Sequence, residues 1–223
     1  MKKLFVFLFI LAIVPVTFGQ IVPKFGLGIS AGVVFPQSDM SNVYKTGYGG
    51  NLTVILPIPG PFEFSASVGY YGFKFNNDYL NDLYRTQFNT QGNFNIEAPM
   101  SMIPITANAR YYFTPALVRP YGEVNLGISL ASIKVTIPDP IPGDPFRTLT
   151  SEASETKQYI GIGAGIVVGI GVVANLDVNL RYVLLGHDFG TEKTITSGGS
   201  TTIESSKSKG SYFGASVGVR VKL

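Results

Sequence analysis

The carboxy-terminal stretch Ser211-Tyr212-Phe213-Gly214-Ala215-Ser216-Val217-Gly218-Val219-Arg220-Val221-Lys222-Leu223 decides the fold. From Phe213 onward its odd positions are apolar: Phe213, Ala215, Val217, Val219, Val221 and Leu223. The even positions, Gly214, Ser216, Gly218, Arg220 and Lys222, are small or charged. A period of two over so long a run predicts a strand with one oily face. Its length suits the roughly 9–11 residues that a tilted strand needs to cross hydrocarbon.

Seven further segments alternate in the same way: Lys24–Phe35, Gly47–Leu56, Phe62–Phe75, Met100–Phe113, Tyr121–Val135, Gln158–Gly169 and Asn175–Gly186. In Gln158–Gly169, for example, Ile160, Ile162, Ala164, Ile166 and Val168 alternate with Gly161, Gly163 and Gly165. The connections alternate in length as well. Pro57–Pro61, Thr114–Arg119 and Ile170–Ala174 read as tight turns. Pro36–Thr46, Asn76–Pro99, Pro138–Lys157 and His187–Gly210 read as long polar loops. Short and long links in strict alternation belong to a transmembrane β-barrel, with short periplasmic turns and long outer loops. The expectation is an all-β, eight-stranded antiparallel up-and-down barrel in a single domain, 20–223.

The amino-terminus carries an address. Lys2 and Lys3 precede the apolar run Leu4–Val14, and Pro15 with Thr17-Phe18-Gly19 supplies a breaker and small residues. This predicts a cleavable signal peptide over 1–19, too short to stay as a membrane helix. Composition agrees with export into a membrane. Of the 223 residues 45% are apolar and only 14% charged, against roughly 25% charged in soluble domains. The many Phe and Tyr exclude disorder. The absence of Cys excludes a disulfide scaffold, a thiolate metal site and lipoprotein processing. Discounting Lys2 and Lys3 from the formal charge of +3 leaves +1, no footprint for nucleic acid.

A soluble lipocalin-type barrel has the same period with its apolar phase turned inward. The polar phase decides between the two. It is rich in Gly and Ser, which suit the crowded interior of an eight-stranded barrel and would solvate an exterior poorly. Nearly all strand charges lie on that small-residue face, and they balance: Glu63, Glu123 and Asp177 against Arg110, Arg181 and Arg220. Buried charges need partners, and the guanidinium fork suits carboxylates. These six are expected to form a lumenal ion-pair network that blocks the barrel; the competing reading is a gated ion path. Aromatic girdles are expected at both bilayer interfaces. One comprises Phe25, Phe62, Phe64, Tyr111, Phe113 and, in the inward phase, Tyr121. The other comprises Phe35, Tyr48, Tyr70, Tyr159, Tyr182 and Phe213. Pro104 cannot donate to a ladder, so a bulge or late start is expected in the fourth strand.

With these segments in place, the chain resembles the small eight-stranded outer-membrane β-barrel family that includes the transmembrane domain of OmpA, OmpX and OmpW. The likeness runs from about Phe25 to Leu223. Its most specific part is the last strand, where Ser216, Gly218, Val221 and Leu223 fit polar-x-Gly-x-x-apolar-x-apolar, although the family usually ends in Phe or Trp. Arg110-Tyr111-Tyr112-Phe113 and Arg119-Pro120-Tyr121-Gly122 look like the family's turn-flanking strands. The resemblance implies outer-membrane lipid as surroundings and recognition of the last strand by the barrel-assembly machinery.

Motifs for chemistry are few. Gly169-Ile170-Gly171-Val172-Val173-Ala174 matches a dinucleotide fingerprint, but the following segment alternates as a strand where a helix is required. The glycine spacing of Ile160–Ala174 also suits helix packing in membranes, but the run is too short and too glycine-rich for a spanning helix. His187, the single histidine, reads as a solvated rim residue. Asp188 beside it points to the opposite face and cannot orient it. No catalytic residue, cofactor or metal site is expected. Tyr79 with Leu83 and Leu80 with Tyr84 predict a short amphipathic helix after Asn77-Asp78, placed either to cap the mouth or to present a patch. Pro138, Pro140, Pro142 and Pro145 stiffen the third loop, and the Ser/Thr-rich fourth reads as mobile. The expected function is non-enzymatic: a structural or surface-interaction role carried by the outer loops, with no surface ligand legible. The alternative is a narrow pore or conduit for small, including apolar, solutes; a lipid-modifying enzyme is the third class.

Overall fold

A computed structural model describes residues 25–88, 97–138, 148–171, 173–197 and 200–222. The predicted leader at 1–19 and Leu223 of the assembly motif lie outside the described residues. Eight strands form: β1 (Gly26–Gln37), β2 (Gly47–Pro57), β3 (Phe62–Phe73), β4 (Met100–Tyr112), β5 (Val118–Pro138), β6 (Thr148–Ile170), β7 (Ala174–Ser197) and β8 (Ser200–Lys222). Helices α1 (Asp39–Val43) and α2 (Asn77–Phe88) stand in the first two long connections. Each strand pairs antiparallel with its neighbours in the chain, and β8 closes on β1 from Gly26↔Lys222 to Gln37↔Ser211. This is the closed eight-stranded up-and-down barrel that the period of two predicts. No helix of the described residues is long and apolar enough to cross a membrane.

The two phases separate as expected. Ile29, Leu52, Leu126, Ile162, Leu180 and Val217 point outward, each more than half exposed. In water such a belt would far exceed the apolar patches that soluble proteins show; against acyl chains it is the solvated surface. The lipocalin arrangement is therefore inverted here. At the short-turn end Phe25, Phe62, Phe64, Tyr111 and Phe113 are exposed, and Tyr111 packs edge-on to Phe62 and Phe113. At the other end Phe35, Tyr48, Tyr70 and Phe213 are exposed, with Tyr182 against Phe213. Tyr121 and Tyr159 are not girdle residues. Both are 1% exposed and lie inside the barrel, because each shares the phase of Gly161, Gly163 and Gly165 or their cross-strand partners.

The tight turns hold Gly60 and Gly171 at φ 102° and 79°, a conformation that costs glycine nothing. The long connections differ from expectation. β5 and β6 stay paired out to Pro138↔Thr148, and β7 and β8 out to Ser197↔Ser200. The third and fourth outer loops are thus mostly hairpin that continues beyond the barrel. Above the bilayer neither face of a ribbon needs to be oily, so alternation disappears from the sequence while β-branched Thr and Ile still favour strand. Pro104 also differs: β4 begins before it, and no bulge forms. Pairs Val68↔Ile105 and Tyr71↔Met102 keep one register across a gap in the β3 ladder, while Pro104↔Ser129 holds on the β5 side. Gly69 makes the room; a Cβ there would lie 2.3 Å from Asn51 Oδ1 and 3.1 Å from Pro104 Cγ.

Candidate functional site

The lumen is filled in two layers. The layer nearer the short turns is ionic and contains all six residues of the expected ion-pair network. Arg110 (β4) reaches Glu123 Oε2 on β5 at 2.8 Å through Nε and Asp177 Oδ2 on β7 at 2.6 Å through Nη1. Arg181 (β7) lies 3.9 Å from Glu123 Oε1, and its Nε donates to Asn179 Oδ1 at 2.9 Å. Arg220 (β8) pairs with Glu63 (β3) and donates to the Tyr112 hydroxyl at 2.7 Å. That hydroxyl donates in turn to Glu63 Oε2 at 3.0 Å. Tyr121 closes the set: its hydroxyl donates to Asp177 Oδ1 at 2.7 Å, and Arg110 lies 4.3 Å over its ring. A buried carboxylate between two guanidiniums and a phenol, as Asp177 is, has its charge and its hydrogen bonds compensated.

β6 contributes nothing charged to this layer, and that is its role. A Cβ on Gly165 would lie 2.4 Å from the Tyr121 hydroxyl oxygen, and one on Gly163 3.1 Å from Glu123 Oε1. A Cβ on Gly161 would lie 2.9 Å from Asn125 Oδ1. The glycines leave a concave wall across which the long side chains of β5 lie. Next to the ions runs a belt of neutral hydrogen bonds. Asn125 donates to Asn108 Oδ1 at 2.8 Å, and Asn108 donates to Ser65 and Ser67. Glu123 Oε1 and Asn125 Oδ1 accept no hydrogen bond among the described residues. Both residues line a cavity of about 30 Å³, room for about two waters.

The layer nearer the outer connections is apolar and aromatic, which corrects the expectation of a lumen that is small and ionic throughout. Tyr71, Phe73, Met100, Met102, Tyr159, Val183, Leu185 and Tyr212 fill it from the strands, and Met40 of α1 and Tyr44 enter it from the first outer connection. Burial pushes the Tyr44 phenol up to about 12. The large side chains sit in the inward phase of the outer strand ends, in plain view in the sequence.

His187 is also corrected. It is 4% exposed, and its Nε2 lies 3.2 Å from both Oγ and O of Ser129 on β5. Its Nδ1 lies 3.4 Å from Glu155 Oε2 on β6. Between Leu184↔Ser211 and Asp188↔Lys209 the register shifts, so Leu185, Gly186 and His187 face Gly210 alone. The bulge keeps His187 turned inward where β7 leaves the barrel. Lys157, 2.6 Å away, and then His187 hold the exposed Glu155 carboxyl below its ordinary range. Among the described residues no group of three His, Asp or Glu could hold a metal ion.

Of the assembly motif, Ser216, Gly218 and Val221 lie on the closing seam opposite Gly32, Ser30 and Leu27. α2 forms where the i, i+4 pairs predict it; the side chains of Leu80, Leu83 and Tyr84 lie outside the described residues. Tyr112, Asn108, Asn125 and Asn179 belong to the network but are not singled out by sequence, and Tyr121 belongs to it instead of to a girdle. Their phase is the signal that finds them.

No protein-family model and no curated protein sequence matches the chain. Solved structures do. Neisserial surface protein A matches with a TM-score of 0.53 at 18% identity, over 89% of this chain and 97% of that one. A major outer membrane protein from Thermus thermophilus matches with a TM-score of 0.53 at 11% identity, over 89% and 99%. Strand count, pairing order, an oily outer wall and these likenesses agree: the chain has the fold of the small eight-stranded β-barrels of bacterial outer membranes.

Proposed function

We propose that this chain is a non-enzymatic protein of the outer membrane whose lumen is sealed and whose work is done by the structures outside the bilayer. The observation that carries the reading is the double filling of the lumen. An ionic layer and an apolar layer follow each other along one axis, and the space left among Arg110, Glu123, Asp177 and Arg181 is about 30 Å³. What remains free to differ is the outer side, where β7 and β8 run on as a long hairpin. The matched Neisserial protein is by name a surface protein, which supports the same side. In this reading outer-membrane lipid solvates the aliphatic belt, and the seam residues Ser216, Gly218 and Val221, with Leu223, serve recognition by the barrel-assembly machinery.

The second reading, a narrow pore, draws on the unpartnered acceptors of Glu123 and Asn125 in the polar cavity. Recording in planar bilayers separates the two. The purified barrel is expected to give no conductance steps above the bare bilayer; steady unitary steps that change amplitude in Glu123→Ala would establish the pore instead.

A further inference from the structure

At the short-turn mouth, below the Glu63–Arg220 pair, lies a second cavity of about 120 Å³. Arg119, Arg220 and Lys222 supply its cationic wall, and Ile55, Ile58, Phe62 and Val221 its apolar one. Glu63 is the one carboxylate in the lining, and it is fully engaged by Arg220 and Tyr112. Arg220 is likewise spent on Glu63 and on the Tyr112 hydroxyl.

Arg119 is not. It stands in the inward phase of β5, two residues before Tyr121. Its Nη2 donates to Asn175 Oδ1 at 3.1 Å, and its guanidinium lies 5.1 Å over the ring of Tyr112. No carboxylate reaches it among the described residues. A guanidinium carries five N–H donors, so most of this fork is oriented and unused. Lys222 stands in the inward phase of β8 at the same mouth and also has no acidic partner among the described residues. An arginine held by an amide and a ring, a second cation beside it, and an oily wall opposite suit an anion that carries an apolar part.

We propose that this mouth cavity binds a carboxylate carried on a short apolar stem. The carboxylate takes the fork of Arg119 and the ammonium of Lys222, and the stem lies along Ile58 and Phe62. Phosphate shares the oxyanion chemistry but offers nothing to the apolar wall, so the stem separates the two.

The test uses the folded protein in dodecyl maltoside micelles, ¹⁵N-labelled, at low salt so that screening is small. Sodium butyrate, acetate and phosphate are titrated separately while the arginine Nε–Hε signals are followed. The expected result is a saturable shift of the Arg119 signal with butyrate, half complete in the millimolar range, with acetate weaker and phosphate no tighter than acetate. Followed on the signal of Arg220, which lines the same cavity, Arg119→Gln is expected to weaken butyrate about tenfold, corresponding to roughly 1.4 kcal/mol; Lys222→Gln is expected to weaken it less. Lys74→Gln, at the opposite end of the barrel, is expected to change nothing. Migration of the unheated variants on gels checks that they fold, and Lys222→Gln carries the test if Arg119→Gln does not. The proposal is overturned by a non-saturating response, by phosphate binding more tightly than butyrate, or by Lys74→Gln weakening binding as much as the mouth variants.

Discussion

At the scale of single residues, charge compensation dominates. Glu123 holds Arg110 directly and faces Arg181 at longer range. Glu123→Ala would leave two guanidiniums short of countercharge in a buried layer, and breaking such a set typically costs about 3–5 kcal/mol. The urea concentration that abolishes fast gel migration of the folded form is expected to fall accordingly. Gly165→Ala tests the concave wall of β6. Its Cβ would sit 2.4 Å from both Val178 O and the Tyr121 hydroxyl oxygen, and backbone cannot step aside. A loss of about 1–3 kcal/mol is expected, with Gly72→Ala, where a Cβ meets nothing within 4 Å, as the neutral control. Glu155, outside the bilayer, sets a pH dependence. Its carboxyl is held below its ordinary range by Lys157 and then His187. The tie it adds is therefore complete above the unfolded carboxylate range and is lost as pH falls through the lower folded value. Amide protection at the root of the β7–β8 hairpin, corrected for the intrinsic pH dependence of exchange, should be steady from neutrality to about pH 5 and fall only below about pH 4.

At the scale of elements, the hairpins and the barrel are separable. Beyond the bulge at Leu185–His187, β7 pairs with β8 alone. Replacing residues 191–206 by a two-residue turn is expected to leave gel migration and urea resistance within error of the full chain. Loss of the folded band would show that the ribbon is needed for closure. The same division explains what the sequence makes legible. Inside the bilayer one face must be oily, so phase places all eight strands and gathers Glu63, Arg110, Glu123, Asp177, Arg181 and Arg220 on one side. Outside it that requirement vanishes, and the upper halves of β6, β7 and β8 read as loops. Tyr159 fails for another reason: ring chemistry suggests an interface, yet its position in the Gly161–Gly165 phase already turns it inward. His187 could not be placed from spacing, because its burial depends on a bulge opposite Gly210, and Gly186 alone does not tell a bulge from the end of a strand. Pro104 was legible as a break in hydrogen bonding. That Gly69 would absorb it without a change of register depended on a partner strand.

At the scale of the whole molecule, a closed sheet with a filled axis should behave as one cooperative body. The unheated protein is expected to migrate faster on detergent gels than the boiled one, in a single step with temperature; intermediate bands would indicate layers that melt separately. Met40→Ala probes the apolar layer, which it enters from α1. Truncating a fully buried Met costs about 2–5 kcal/mol, and with the ionic layer beneath it intact no conductance should appear. The Glu63–Arg220 pair has a temporal consequence. Arg220 belongs to the final strand, so during biogenesis the nascent sheet holds an unneutralised Glu63 until the last edge docks. Sealing the circumference and cancelling that charge are one event, which penalises every half-inserted intermediate and makes maturation an all-or-nothing commitment.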